Sequence, residues 1–190
     1  MNALATSRAA EGLDRVSWTV AEVLNLQAAG FIDEDANYEL WEGEIVPMNA
    51  KHNRHELWKS ALVRLFNRAL PDDLAVGIEQ SVYFGPRTFL EPDVVVAPAS
   101  ILPEDLRGPD LLLAVEVSDA SLGRDLRRKA ELYARFGVRR YWVLDAERRR
   151  AFVHRLREDG TYGEPVEHGP EAVLETPFEP VVQVPLARLG

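Results

Sequence analysis

The sequence predicts a mixed α/β or α+β domain whose helices pack against the faces of one central sheet. Three observations carry that expectation. Two nearly all-apolar runs, DVVVA at Asp93–Ala97 and LLLAVEVS at Leu111–Ser118, read as strands buried on both faces. A helical pattern over 124–136 separates the second run from another strand, RYWVLD at Arg140–Asp145. That order is the signature of a parallel strand-helix-strand crossover, for which the right hand is the rule. A long helical pattern over 51–69 stands upstream of all three strands.

The elements follow in order. Residues 1–15 lack the apolar stretch of a signal peptide and read as a flexible tail, with one domain expected over 16–190. Thr19 to Glu22 is a T-x-x-E capping box, opening a helix to about Ala29 that Gly30 closes. Tyr38–Trp41 and Glu44–Met48 flank Glu42-Gly43 as a hairpin. The helix of 51–69 is read from Leu57, Ala61, Leu62, Leu65, Phe66 and Ala69, with Pro71 as its stop. Leu74–Phe84 has strand character and Gly85-Pro86 turns the chain. Residues 100–110, with two prolines and Gly108, are expected as loop. The helix of 124–136 ends at Gly137, and Ala151–Leu156 follows Arg140–Asp145 across a charged turn. Asp159-Gly160 begins another turn, before a proline-rich tail.

Composition narrows the function classes. The net charge is −9, so the overall field does not attract nucleic acid. Arginines nevertheless cluster locally, at Arg124, Arg127, Arg128, Arg135, Arg139, Arg140 and Arg148 to Arg150; each alone reads as part of a solvated face, and together they leave a phosphate-facing patch open. Cysteine is absent, which excludes disulfides and thiolate metal sites and suits a reducing cytoplasm. No run approaches the ~18 apolar residues of a membrane span.

Two carboxylates break the apolar runs. Glu116 sits inside LLLAVEVS, and Asp93 begins DVVVA directly after Pro92. A carboxylate in a core strand is costly unless it is paired or binds a metal. If the two strands are antiparallel neighbours, Asp93 and Glu116 lie side by side, since adjacent strands are ~4.8 Å apart. A hard divalent cation relieves the repulsion between them. Ser118 points to the same sheet face as Glu116. Asp125 and Lys129, four apart, share a face of the next helix. Each acid also has an ordinary reading: Asp93 as a turn residue after proline, Glu116 as an acid bonded to the turn at 119–121, and Asp125–Lys129 as an exposed ion pair.

The stretches EPDVVV, LLLAVEVSDAS and RDLRRKAELYARFGVRRYWVLD, with YELWEGEIVPM and His52-Asn53 upstream, resemble the Uma2 (DUF820) family of restriction-endonuclease-like proteins, and through it the PD-(D/E)xK nucleases. The resemblance spans about Tyr38 to Arg155. It implies a restriction-endonuclease-like mixed sheet flanked by helices, with an added N-terminal helix and hairpin. It implies a metal-dependent endonuclease in which Asp93, Glu116 and the backbone carbonyl of Val117 hold Mg²⁺ or Mn²⁺. Lys129 would act on the attacking water or the developing phosphorane, and His52 is the matching polar residue of the long helix. DNA is the implied substrate and a homodimer the implied assembly. Ser118 occupies the position where the nuclease superfamily carries its lysine, so Lys129 is read as that lysine relocated. The alternative reading is a nuclease-like fold kept as a binding or assembly module, with weak or no catalysis.

Overall fold

The computed structural model describes residues 6–8, 14–48, 52–119 and 121–190, so most of the tail expected over 1–15 lies outside the described residues. In chain order the strands are β1 (Thr6–Arg8), β2 (Asp14–Val16), β3 (Tyr38–Trp41), β4 (Glu44–Pro47), β5 (Leu74–Ile78), β6 (Val82–Gly85), β7 (Thr88–Leu90), β8 (Val94–Pro98), β9 (Leu113–Ser118), β10 (Arg140–Asp145), β11 (Arg150–Arg155), β12 (Val166–His168), β13 (Val173–Glu175) and β14 (Gln183–Pro185). The helices are α1 (Val20–Ala28), α2 (Asn53–Ala69), α3 (Leu122–Arg124) and α4 (Ala130–Arg135), and a π-helical stretch, Asp125–Lys129, joins α3 to α4. Among the described residues, no helix is long and apolar enough to cross a membrane.

The chain divides into two compact units, residues 1–50 with 81–91 and residues 51–80 with 92–190. In the first, β1 pairs with β2, and a four-stranded sheet runs in the order β4-β3-β7-β6. Thr19 caps α1 with the expected reciprocal box: Glu22 N–H donates to the threonine hydroxyl, and Thr19 N–H donates to the Glu22 carboxylate at 2.7 Å. The β3–β4 turn places Glu42 at φ 52° and Gly43 at φ 92°. Two successive positive φ values match the twist of a tight hairpin. Val23, Tyr38, Leu40 and Phe89 form this unit's core.

The second unit is built on a six-stranded sheet in the order β12-β11-β10-β9-β8-β5. β9 and β10 are parallel, as the crossover requires, and every other neighbouring pair is antiparallel. Val94, Val96, Leu113, Val115 and Val117 lie with Trp142 and Leu144 on one face, packed against Trp58, Leu62 and Phe66 of α2. Burying Leu62 and Phe66 stabilises by about 1.5–3 kcal/mol each. The opposite face presents Glu116, Ser118 and Tyr141 to the π-helical stretch and α4.

Three expectations need correction. The single strand expected over Leu74–Phe84 breaks into β5 and β6, because Glu79 takes φ 48° and turns the chain. The buried stripe of α2 is His55, Trp58, Lys59, Leu62 and Phe66, whereas Leu57 is 62% exposed. Leu62 and Phe66 of the predicted stripe are buried and Ala61 and Leu65 pack partly buried against the same core, so Leu57 and Ala69 are the positions that face outward. The loop at 100–110 contains two 3₁₀ turns, Pro103–Asp105 and Gly108–Asp110, each started by proline at an early position.

Candidate active site

The antiparallel β8–β9 register pairs Val94 with Val115. One step further along both chains sets Asp93 opposite Glu116. Both carboxylates are buried, at 2% and 5% exposure. The juxtaposition expected from the two apolar runs is therefore present.

Asp93 is held from two sides. Its Oδ2 accepts the backbone N–H of Val117 at 2.8 Å, continuing the ladder beyond the last strand pair. His55 Nε2 of α2 stands 3.0 Å from the same oxygen. The other ring nitrogen, Nδ1, lies 3.2 Å from Glu56 Oε1, and Lys59 donates to that same Glu56 oxygen at 2.8 Å. Lys59 also donates to Glu79, whose backbone N–H donates to the Asp93 carbonyl at 3.2 Å. A chain of charge-assisted contacts thus runs along α2 and returns to Asp93 through its own backbone.

Glu116 is held by the other helix. Lys129 Nζ and the Tyr133 hydroxyl each donate to Oε1 at 2.8 Å. Lys129 is 4% exposed, so the pair lies in low dielectric, where attraction must offset desolvation of both charges. Ser118 does not take a lysine's place beside Glu116. Its hydroxyl donates to Asp125 Oδ2 at 2.6 Å, and Ser121 donates to the same oxygen at 2.5 Å. Tyr141 adds a bond from its hydroxyl to the Asp125 carbonyl at 3.1 Å.

The π-helical stretch explains how Asp125, Lys129 and Tyr133 all face the sheet. An α-helix turns 3.6 residues per turn, so positions four apart drift by about 40° each step. A wider i→i+5 turn reduces that drift, and such turns recur at functional sites. The ordinary reading of Asp125 and Lys129 as an exposed ion pair does not hold, because both are buried and each engages the sheet. Glu116 accepts from Lys129 and Tyr133, both on the helix side of the sheet.

His52 caps α2 with a 73% exposed side chain, 3.9 Å from Asp119 Oδ2. The helix histidine that reaches Asp93 is His55, one turn on. Sequence reasoning missed it, although its place on the stripe with Trp58, Leu62 and Phe66 is a period-3.6 signal. Tyr133 is core, fully buried, and also a donor to Glu116.

The donors suit a hard cation. Among the described residues, no three His, Cys, Asp or Glu side chains converge as a metal site. Mg²⁺ does not require three, since one or two carboxylates suffice when water and phosphate complete its octahedron. Two carboxylates set opposite each other at the end of a strand pair could serve in that way.

Comparison with known proteins agrees with this architecture. A family model described as Uma2, putative restriction endonuclease, matches residues 20–187. A crystal structure of a putative nuclease belonging to DUF820 from Anabaena variabilis superposes with a TM-score of 0.70 at 18% identity, covering 90% of this chain and 96% of that one. The likeness extends to the fold. No curated protein matches the chain in sequence.

Proposed function

The chain belongs to the Uma2 family, and from that premise we propose that it is a metal-dependent endonuclease hydrolysing DNA phosphodiester bonds at Asp93, Glu116 and Lys129. The observation that carries the reading is Asp93 beside Glu116 across β8 and β9, with Lys129 2.8 Å from Glu116. Asp93, Glu116 and the Val117 carbonyl would hold Mg²⁺ or Mn²⁺. When bound, the ion supplies charge neutralisation at the scissile phosphate and a lowered pKa for a bound water.

The protein's own groups do the positioning. His55 and the Val117 N–H fix the Asp93 carboxylate, and Tyr133 with Lys129 fixes Glu116. Lys129 places an ammonium where the attacking water or the pentacovalent phosphorane carries its charge. In the net reaction water oxygen bonds to phosphorus, the bond to one ester oxygen breaks, and that oxygen leaves as a hydroxyl carrying a proton. The reading sets the reaction in a reducing cytoplasm, where a chain without cysteine needs no disulfide. It also takes a homodimer as the unit that cuts both strands.

The test incubates purified protein with plasmid, single-stranded and branched DNA in Mg²⁺, Mn²⁺ and EDTA, beside Glu116→Gln. Cleavage that needs the metal and Glu116 supports the reading. No cleavage above the Glu116→Gln level on any substrate overturns it. Light scattering in solution decides the dimer.

One observation favours a second reading, a nuclease-like binding or assembly module without catalysis. Ser118 fills the superfamily's lysine position and is committed to Asp125. That reading expects no Mn²⁺ anomalous signal between Asp93 and Glu116 in soaked crystals.

A further inference from the structure

A groove of about 790 Å³ opens between the Leu126–Arg135 side of the helix and the loop that follows β11. It is distinct from the carboxylate pair. Its floor includes His154, which is 3% exposed. Both ring nitrogens of His154 are buried and have no hydrogen-bond partner among the described residues. Buried polar atoms almost always find partners, so two orphans on one ring are unusual. The ring lies 5.3 Å from Tyr141 and 5.3 Å from Tyr162, in a run of three aromatic rings. The Tyr162 hydroxyl is committed to the Val138 carbonyl at 2.6 Å, which leaves its ring as the groove's wall.

The rim is charged. Arg127, Arg135 and Arg157 line it against Glu131 and Glu164, an excess of positive charge in a chain of net charge −9. Arg157 lies close over Gly163: a Cβ there would come 1.9 Å from its guanidinium nitrogen. Glycine at that position is what lets the guanidinium rest on the backbone beside the groove. The small Ala130 and Ala134 form the helix side, where larger side chains would fill the space.

We propose that this groove binds a nucleoside monophosphate unit, either a free nucleotide or one residue of a nucleic acid strand. The groove offers a planar base the Tyr162 ring on one side and Ala130 and Ala134 on the other. At the floor the His154 imidazole carries one donor and one acceptor that no group among the described residues satisfies, the pairing that a base's mixed donors and acceptors complement. Burial depresses the His154 pKa to about 4 and so keeps the ring neutral at pH 7, the form with that pairing. The guanidinium groups match a phosphate through paired N–H donors. The groove volume falls within the range of small-molecule sites. The inference does not rest on hydrolysis at Asp93 and Glu116, and holds for a catalytic or a non-catalytic chain.

The test is calorimetric titration of the full chain with each deoxynucleoside monophosphate, with deoxynucleosides, with inorganic phosphate and with a short single-stranded oligonucleotide. The variants are Arg157→Ala, Arg127→Ala, Gly163→Ala and His154→Phe, with Arg68→Ala, an exposed position of α2 outside the groove, as control. We expect saturable binding of at least one mononucleotide or of the oligonucleotide, weakened roughly ten-fold by either groove arginine variant and unchanged by Arg68→Ala. Removing the phosphate from the ligand should weaken binding by a similar factor. Imidazole ¹⁵N resonances of His154 in the unsubstituted chain should shift on addition, a readout that survives failure of His154→Phe to fold. Binding of the oligonucleotide alone assigns the groove to a strand, and binding of mononucleotides assigns it to free nucleotide. No binding of either, or binding indifferent to both arginines, overturns the proposal. Loss of cleavage in EDTA with mononucleotide binding to the groove intact separates the two sites.

Discussion

Lys129 donates to Glu116 Oε1 at 2.8 Å, from the helix that follows the strand bearing its partner. Both side chains are nearly sealed from solvent, at 6% exposure or less. A buried pair is expensive to break from one side because the survivor keeps its charge. Glu116→Gln and Lys129→Met should each destabilise the fold by about 3–5 kcal/mol. The double variant should lose less than the sum, by 1 kcal/mol or more. Urea denaturation of the four proteins checks this, and strict additivity would show that the pair is not coupled.

Metal affinity should depend on His55, because its ring nitrogen stands 3.0 Å from the oxygen it orients on Asp93. Groups that orient metal ligands typically change affinity by about 10–100-fold when removed. His55→Ala should lower Mn²⁺ affinity within that range in a calorimetric titration, while His52→Ala, at an exposed position, leaves it unchanged. Equal losses in both variants would detach His55 from Asp93 function.

Acid should destabilise the protein through His154. Its native pKa is pushed down to about 4 by burial, from an ordinary 6.5. Between those values the unfolded chain binds the proton and the native one does not. Stability contributed by the neutral ring is therefore complete above pH 6.5 and is lost as pH falls toward 4, by about 3 kcal/mol. His154→Phe should flatten that part of the profile relative to the unsubstituted protein. Urea midpoints at pH 7, 6, 5 and 4 for the pair test it; parallel profiles would show that the ring titrates normally.

The sequence made the strand order around the carboxylates legible because burial on both faces leaves an apolar run that few other elements imitate. Asp93 and Glu116 stood out as charges inside such runs, and the antiparallel register was the one assumption needed to bring them together. His55 was not legible in the same way. Its partner lies across a helix–sheet contact, and a histidine does not register in an apolar period. Tyr133 was hidden for a different reason: a phenol satisfies apolar spacing while carrying a donor that only the fold can aim. β7, three residues after a Gly-Pro turn, is too short to leave a period.

The proposed assignment of the superfamily's lysine role to Lys129 yields the most discriminating variant pair. Ser118 and Lys129 are both buried on the same side of the sheet, yet they serve different acids: Ser118 bonds Asp125, and Lys129 bonds Glu116. If the ammonium beside Glu116 acts on the water or the phosphorane, Lys129→Met should reduce cleavage by roughly 10²–10³-fold in protein shown to be folded by circular dichroism. Ser118→Ala removes one of two hydroxyl donors to Asp125, and Ser121 retains the other. It should cost about 1–2 kcal/mol of stability and leave cleavage within about three-fold. The reverse ranking, with Ser118→Ala inactive and Lys129→Met active, would return the catalytic role to the strand position and leave Lys129 as the structural counter-ion of Glu116.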